Sequence, residues 1–399
     1  MQVVAIMSLT VIGGKNMKRI LLFTLALMLC VSALFACSQE TAKTNSVPDG
    51  ESSAFEESSS EPEISSPDGP EYWGNTVYDI AEQPNSPKEV EKHEMKVTKT
   101  SDSLITITFT TDAGDHTVTV KETPWGTFNL GAWSLKADNK THVFVSGSTD
   151  LEYVYRVSDK PAGGNIWSGG NHGNETLVSL ELYNGETEEK LELKKGESVT
   201  VNKLHIIEKT KLLWCADTDG DGYGFRYKAT DKFEEKDIYA EVVRKYTFIG
   251  PEIKLNVDYK YIKDTYHYLS YTCMFPIDKK YGLYCDMIGK DGKLLKTIET
   301  LKIGKADYSG PMNSGNAATR ARIYGYTDKR YQFDVRVNTF ADSLENQTNA
   351  FKTAFWDMNT SSNKLYFSKY DQNKSSKIPA GTEYHTECIW QFIFEKDAK

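Results

Sequence analysis

Histidine is scarce in this chain, with seven among 399 residues, and no His-Glu-X-X-His pair occurs, which removes the zincin class. A phosphate-cradling Gly-Lys-Ser/Thr loop, a dinucleotide fingerprint after a strand and a Gly-X-Ser-X-Gly elbow are also missing, so nucleotide enzymes and serine hydrolases are set aside. Positive charge is short as well. Lys and Arg number 47 against 56 Asp and Glu, a net charge of -9, and a nucleic-acid binder needs a basic face. The six cysteines show no zinc-site spacing. No long amphipathic helix pattern appears, and the one long apolar run, Ile20 to Phe35, falls short of the roughly 20 residues that span a bilayer.

That run is informative for what surrounds it. Met17, Lys18 and Arg19 precede it and Leu34-Phe35-Ala36-Cys37 ends it, the charged, apolar and cleavage regions of a secretory signal. Its ending resembles the bacterial lipobox, in which cleavage falls just before a cysteine that carries the lipid. The resemblance implies an exported bacterial lipoprotein, with residues 1–36 as signal, Met17 as its natural start, and Cys37 as the lipidation site at the outer face of a membrane. Residues 37–94 then form a tether rich in Ser, Glu and Pro, which cannot bury enough apolar surface to offset its ordering entropy. Its carboxylates exceed its lysines by about 11, so the folded part, residues 95–399, is near neutral.

Beyond the tether the chain reads as strand after strand. Leu104–Phe109, His116–Val120, Leu177–Leu182 and Ile253–Asp258 alternate apolar with polar, the period of half-buried strands. Asn184-Gly185 and Asp291-Gly292 are hairpin signals, because such residues tolerate positive φ. The expected fold class is all-β, a large antiparallel β-sandwich, as one body or two tightly packed sandwiches. The strands around Tyr246–Phe248, Val257–Lys260 and Tyr268–Pro276, with the turn Pro379–His385 into a last strand, resemble the supersandwich domains of carbohydrate-active proteins, mutarotase-like and polysaccharide-lyase domains among them. That resemblance implies a glycan partner.

The stretch Gly163-Gly164-Asn165-Ile166-Trp167-Ser168-Gly169-Gly170-Asn171-His172-Gly173-Asn174-Glu175 is the candidate site. Its glycines permit tight turns and close backbone approach, and it offers a titratable imidazole beside a carboxylate. In a lyase, His172 or Tyr155 would act as base while Asn171 or Arg156 neutralised the sugar carboxylate. A hydrolase would use Glu175 and Asp217. Trp125, Trp167 and Trp356 are candidate sugar platforms, with Asn174 and His267 as further contacts. The opposing interpretation is that the loop only turns a corner, its asparagines in left-handed conformations. A second functional reading is a glycan- or envelope-protein-binding lipoprotein without catalysis. A catalytic groove would gather His172 with a second histidine, tyrosine or arginine; a binding face would show aromatics in a row.

Asp217, Asp219 and Asp221 alternate ahead of Gly222 like the opening of a calcium loop, and calcium is the one cofactor this pattern offers. Lys228 stands where a calcium-binding hand needs a bidentate glutamate, so an Asp-Gly hairpin tip explains the segment equally. Cys215, Cys273, Cys285 and Cys388 lie in apolar strand contexts, as buried thiols or as two disulfides with three alternative pairings.

Overall fold

Alternation in the sequence becomes alternation of burial in the computed structural model. It describes residues 90–146, 154–161, 166–214, 232–289, 292–300, 306–308, 318–339, 352–357, 361–368 and 376–398, all within the unit Ser65–Lys399. The expected signal, Cys37, the expected tether up to residue 89, Cys215 and the Asp217–Asp221 segment lie outside the described residues.

In chain order the strands are β1 (Met95–Ser101), β2 (Leu104–Thr111), β3 (Gly114–Glu122), β4 (Phe128–Ala137), β5 (Lys140–Val145), β6 (Val154–Ser158), β7 (Ile166–Ser168) and β8 (Glu175–Asn184). Then come β9 (Ser198–Val201), β10 (Leu204–Leu213), β11 (Ile238–Ile249), β12 (Glu252–Tyr261), β13 (Thr265–Asp278), β14 (Tyr284–Gly289) and β15 (Leu294–Glu299). The last seven are β16 (Ala306–Tyr308), β17 (Ala318–Tyr324), β18 (Tyr331–Thr339), β19 (Lys352–Asp357), β20 (Ser362–Ser368), β21 (Ser376–Ile378) and β22 (Glu383–Phe394).

These strands make three antiparallel sheets packed as sandwiches. One has six strands in the order β5-β4-β3-β2-β1-β9, and one has nine in the order β15-β14-β17-β18-β22-β12-β11-β10-β8. The third has seven, β16-β19-β20-β13-β6-β7 with β21 also on β13. The period-two rule sends one set of side chains inward along each. In β2 these are Ile105, Ile107 and Phe109, and in β12 they are Ile253, Leu255, Val257 and Tyr259, all buried.

Phe333, on β18 of the nine-stranded sheet, shows how the layers meet. Its ring touches Trp133 of the six-stranded sheet at 5.2 Å and Phe275 of the seven-stranded sheet at 4.8 Å. Both smaller sheets therefore lie against one face of the large sheet, so the alternatives of one body or two resolve to one body with a shared layer. Fully burying each such ring is worth about 1.5–3 kcal/mol relative to leaving it exposed. His116 joins this core. Its ring stacks on Phe109 at 4.7 Å, its Nδ1 accepts the Trp133 indole N–H at 3.3 Å, and its Nε2 therefore donates to Thr111 Oγ1 at 3.0 Å.

The two hairpin signals have different outcomes. Gly292 at φ 75 closes β14 onto β15 as expected, with Ile288 opposite Leu294. After Asn184-Gly185 the chain makes only a single bridge, Tyr183 to Lys190, and β8 takes β10 as its long partner instead. Here the positive φ belongs to Glu188, at 58°, and Gly185 serves close approach: a Cβ there would lie 2.7 Å from Lys203 and 3.0 Å from His205.

The opposite face of the nine-stranded sheet carries an ionic cluster. Asp334, fully buried, accepts hydrogen bonds from Arg320 Nε at 2.7 Å, Arg322 Nε at 3.2 Å and Arg336 Nη1 at 3.1 Å, and Arg336 also reaches Glu252 at 3.0 Å. Burial alone would raise the Asp334 pKa, but the three guanidiniums bring it below the ordinary value. Removing the shared anion strands Arg320 and Arg322 in a buried place and leaves Arg336 with Glu252 alone. Asp334→Ala should therefore lose about 3–5 kcal/mol of stability, read as a lowered urea midpoint with little change in slope.

Candidate functional site

The glycine loop folds tightly on itself between β7 and β8. Gly169 (φ 98), Gly170 (φ 52) and Gly173 (φ 79) take left-handed or otherwise glycine-favouring conformations, and Asn174 follows at φ 54. Gly173 O accepts the Gly169 N–H at 3.0 Å, and Gly170–His172 form one short 3-10 turn. Asn174 is wholly buried. Its side-chain amide donates to Trp167 O at 2.8 Å, while its own carbonyl accepts from Leu213 N at 2.8 Å.

Beneath the loop lies a sealed ionic network. Glu175 Oε2 accepts the Gly170 N–H at 3.0 Å, and its Oε1 accepts from Thr210 Oγ1 at 2.7 Å and pairs with Arg244 Nη2 at 3.2 Å. Arg244 also pairs with Glu208 and donates to Asn129 Oδ1 at 3.3 Å. Glu208 Oε1 in turn accepts the Phe128 N–H at 2.7 Å, so β4 of the six-stranded sheet is tied to β8, β10 and β11. Trp125, also buried, gives its indole N–H to Gly170 O at 3.2 Å. Glu175 and Trp125 thus face protein on the inner side of the loop, where they fix its shape.

Two carboxylates share one guanidinium here. Burial pushes Glu208 up to about 8, since Arg244 offsets only part of the desolvation and Glu175 adds repulsion. The charge of this network therefore responds to pH through Glu208.

The other residues named from sequence divide between two faces of the seven-stranded sheet. Tyr155 and His267 point into the core, where their rings meet at 5.0 Å and His267 also meets Tyr261 at 5.3 Å. Burial raises the Tyr155 pKa well above that of a free phenol and lowers His267 to about 3, so both are neutral. Arg156, next along β6, points the other way and lies opposite Trp167 of β7.

On that outer face the rings form a row. His172 stacks on Trp167 with centroids 5.2 Å apart, Trp167 stacks on Tyr271 at 5.7 Å with planes 11° apart, and Tyr271 meets Tyr366 at 4.6 Å. The Arg156 guanidinium lies 5.8 Å from the Trp167 ring centre, and Lys364 Nζ lies 4.9 Å from that of Tyr366. His172, Trp167, Tyr271 and Arg156 are half-buried, and the row closes inward through Tyr366 at 8% exposure over the buried Met274. Trp356 lies opposite Lys364 in the register of β19 and β20. The Asn171 side chain falls outside what is described.

Tyr271, Tyr366 and Lys364 escaped the sequence reading. They come from β13 and β20, about one hundred and about two hundred residues along the chain from Trp167, and only sheet pairing brings them beside it. Their strand alternation is the one signal they carry, and it does not name a neighbour. The other histidines lie apart from this row: His93 near Glu91, His142 with Tyr281 Oη at 2.9 Å, His205 with Thr247 Oγ1 at 3.0 Å and Glu188 at 3.4 Å, and His385 with Asp258 at 2.7 Å. Among the described residues no group of three His, Cys, Asp or Glu side chains is set to hold a metal. Cys273, Cys285 and Cys388 are buried free thiols.

No family model matches this sequence, and no curated protein does. Solved structures align with it at low identity and with TM-scores below 0.5. The GH36 α-galactosidase AgaB from Geobacillus stearothermophilus aligns over 75% of this chain and 41% of its own, at 10% identity and a TM-score of 0.42. The galactosidase domain of the α-galactosidase-sucrose kinase AgaSK gives 75% and 42%, at 12% identity and 0.43. A putative mutarotase, YeaD from Salmonella typhimurium, aligns over 78% of this chain and 97% of its own, at 8% identity and 0.34. The chain thus spans about two-fifths of the galactosidases' length. No residue role passes from these proteins to this one.

The buried groups set opposite pH trends. Glu208, raised from 4.5 to about 8, binds its proton more tightly in the folded state, so stability falls as pH rises through that window. His116 and His267, lowered from 6.5 to about 3 by burial, act the other way, and their contribution is lost as pH falls below 6.5. Thermal melts across pH should show stability declining from pH 6.5 to 8, and Glu208→Gln should flatten that decline while leaving the acid limb in place.

Proposed function

We propose that this chain is an exported, lipid-anchored surface protein that holds a glycan on the outer face of its seven-stranded sheet without cleaving it. The observation that carries the reading is the row His172, Trp167, Tyr271 and Tyr366 with cations against two of its rings. The rings cover one another's faces in part, so a sugar's C–H surface would pack along the half-buried edges that the stack leaves open, while its hydroxyls take hydrogen bonds from flanking polar groups. A rigid sheet presents such a row with little entropy left to lose on binding.

Support for binding over cleavage comes from where the described acid and base candidates sit. Cleavage needs a titrating group that reaches the sugar, within hydrogen-bond distance of the proton it moves. Tyr155 is turned into the core and Glu175 is committed to Gly170, Thr210 and Arg244. His172 lies flat on Trp167, as the end member of a stack. The lipid anchor at Cys37 and the long polar tether suit the same role, since they hold the sandwich away from the membrane within reach of envelope or external polysaccharide.

Trp167→Ala tests this. Affinity electrophoresis of the full chain through gels containing polysaccharide should show retardation in the wild type. The variant should bind about tenfold or more weakly, the loss of a major stacking contact. An unchanged melting temperature would confirm that the variant is folded. Release of new reducing ends or unsaturated products by the wild type would overturn the non-catalytic reading, and equal retardation of both proteins would remove the aromatic row from it.

A further inference from the structure

We infer that the glycan taken by this outer face is anionic, a carboxylate-bearing uronan, and that Arg156 is the residue that reads its charge; the inference rests on that face being a glycan surface. The described arginines are six, and five of them are held by carboxylates of the protein. Arg244 pairs with Glu175 and Glu208, Arg320 and Arg322 with Asp334, Arg336 with Asp334 and Glu252, and Arg330 with Asp328. Arg156 is the exception among the described residues. Its guanidinium lies against Trp167, and its Nε is buried without a hydrogen-bond acceptor.

The Nε is sealed from solvent, but the two outer guanidinium nitrogens belong to a half-buried side chain that pairs with no carboxylate among the described residues, so they are placed to take an acceptor that arrives from outside. The guanidinium edge presents parallel donors that fit a carboxylate in two-point fashion, which a hydroxyl cannot reproduce. Lys364, over Tyr366, is buried and belongs to the protein's interior at the far end of the row. Rings that accept a sugar's C–H surface, with the Arg156 guanidinium beside them, match a sugar that carries both a ring and a carboxylate. Neutral glycans would satisfy the rings and leave Arg156 unmatched. Free carboxylic acids would satisfy Arg156 and leave the rings bare.

The test uses polymers whose charge can be switched off without altering the chain. The full-length protein is titrated by isothermal calorimetry with polygalacturonate and alginate, and with the same two polymers after esterification of their carboxyl groups. The inference predicts at least tenfold tighter binding of an acidic form than of its ester, weakening as salt is raised. Arg156→Ala should abolish that preference while retaining residual binding of the ester. Arg156→Lys should restore only part of it, since an ammonium carries the charge but lacks the planar two-point geometry. Wild-type protein that binds acidic and esterified forms equally, or a preference that survives in Arg156→Ala, would overturn the inference and leave glycan binding standing. Binding of none of the acidic or esterified polymers, nor of neutral ones in the gels above, would remove the glycan reading itself. Matched melting temperatures for the variants separate these outcomes from misfolding.

Discussion

Arg244 is the point on which the site depends. One guanidinium, fully buried, is shared by Glu175 below the glycine loop and Glu208 on β10, next to the edge strand of the large sheet, and it also reaches Asn129 on the six-stranded sheet. Burying a charge without partners costs several kcal/mol, so the three groups are mutually obligatory: remove one and the others are stranded. Because Glu175 also holds the Gly170 N–H, the same network fixes the loop that sets His172 against Trp167. The geometry of an exposed face is therefore determined by chemistry in the interior. Burial and repulsion from Glu175 raise the Glu208 pKa against the pull of Arg244, so the balance of this network shifts with pH.

The seven-stranded sheet separates interior from exterior at single-residue spacing. Tyr155 and Arg156 are neighbours in sequence, yet the first enters an aromatic core with Tyr259 and His267 and the second joins Trp167 outside. The bulge between Tyr271 and Cys273 in β13 produces the same division. It leaves Cys273 in the main core and Tyr271 in the outer row. A strand that obeyed strict alternation would bring residues 271 and 273 to the same side.

Much of the architecture was legible because period-two alternation is a local signal. Leu104–Phe109 and Ile253–Asp258 state their inward faces residue by residue, and burial follows them. The glycine loop was legible for a similar reason, as positive φ at Gly169, Gly173 and Asn174 is a property of the residues themselves. The Asn184-Gly185 signal misled because the position was selected for closeness to Lys203 and His205, a tertiary demand that the dipeptide does not display. The division of roles within the candidate site was hidden for the same physical reason. Glu175 looks like a loop carboxylate beside a histidine until β10 and β11 supply Thr210 and Arg244, and the partners of Trp167 arrive from strands a hundred residues away.

The central claim is that the outer aromatic face, organised from beneath by Arg244, is where a polymer of acidic sugars is held. A crystal structure of the full chain with a short oligogalacturonate bound tests it most directly. The account predicts sugar rings packed along Trp167 and Tyr271 with a carboxylate against the Arg156 guanidinium. An oligosaccharide seated elsewhere, for instance in the groove between Lys99 and Leu193 at the edge of the large sheet, with the aromatic row untouched, would contradict it.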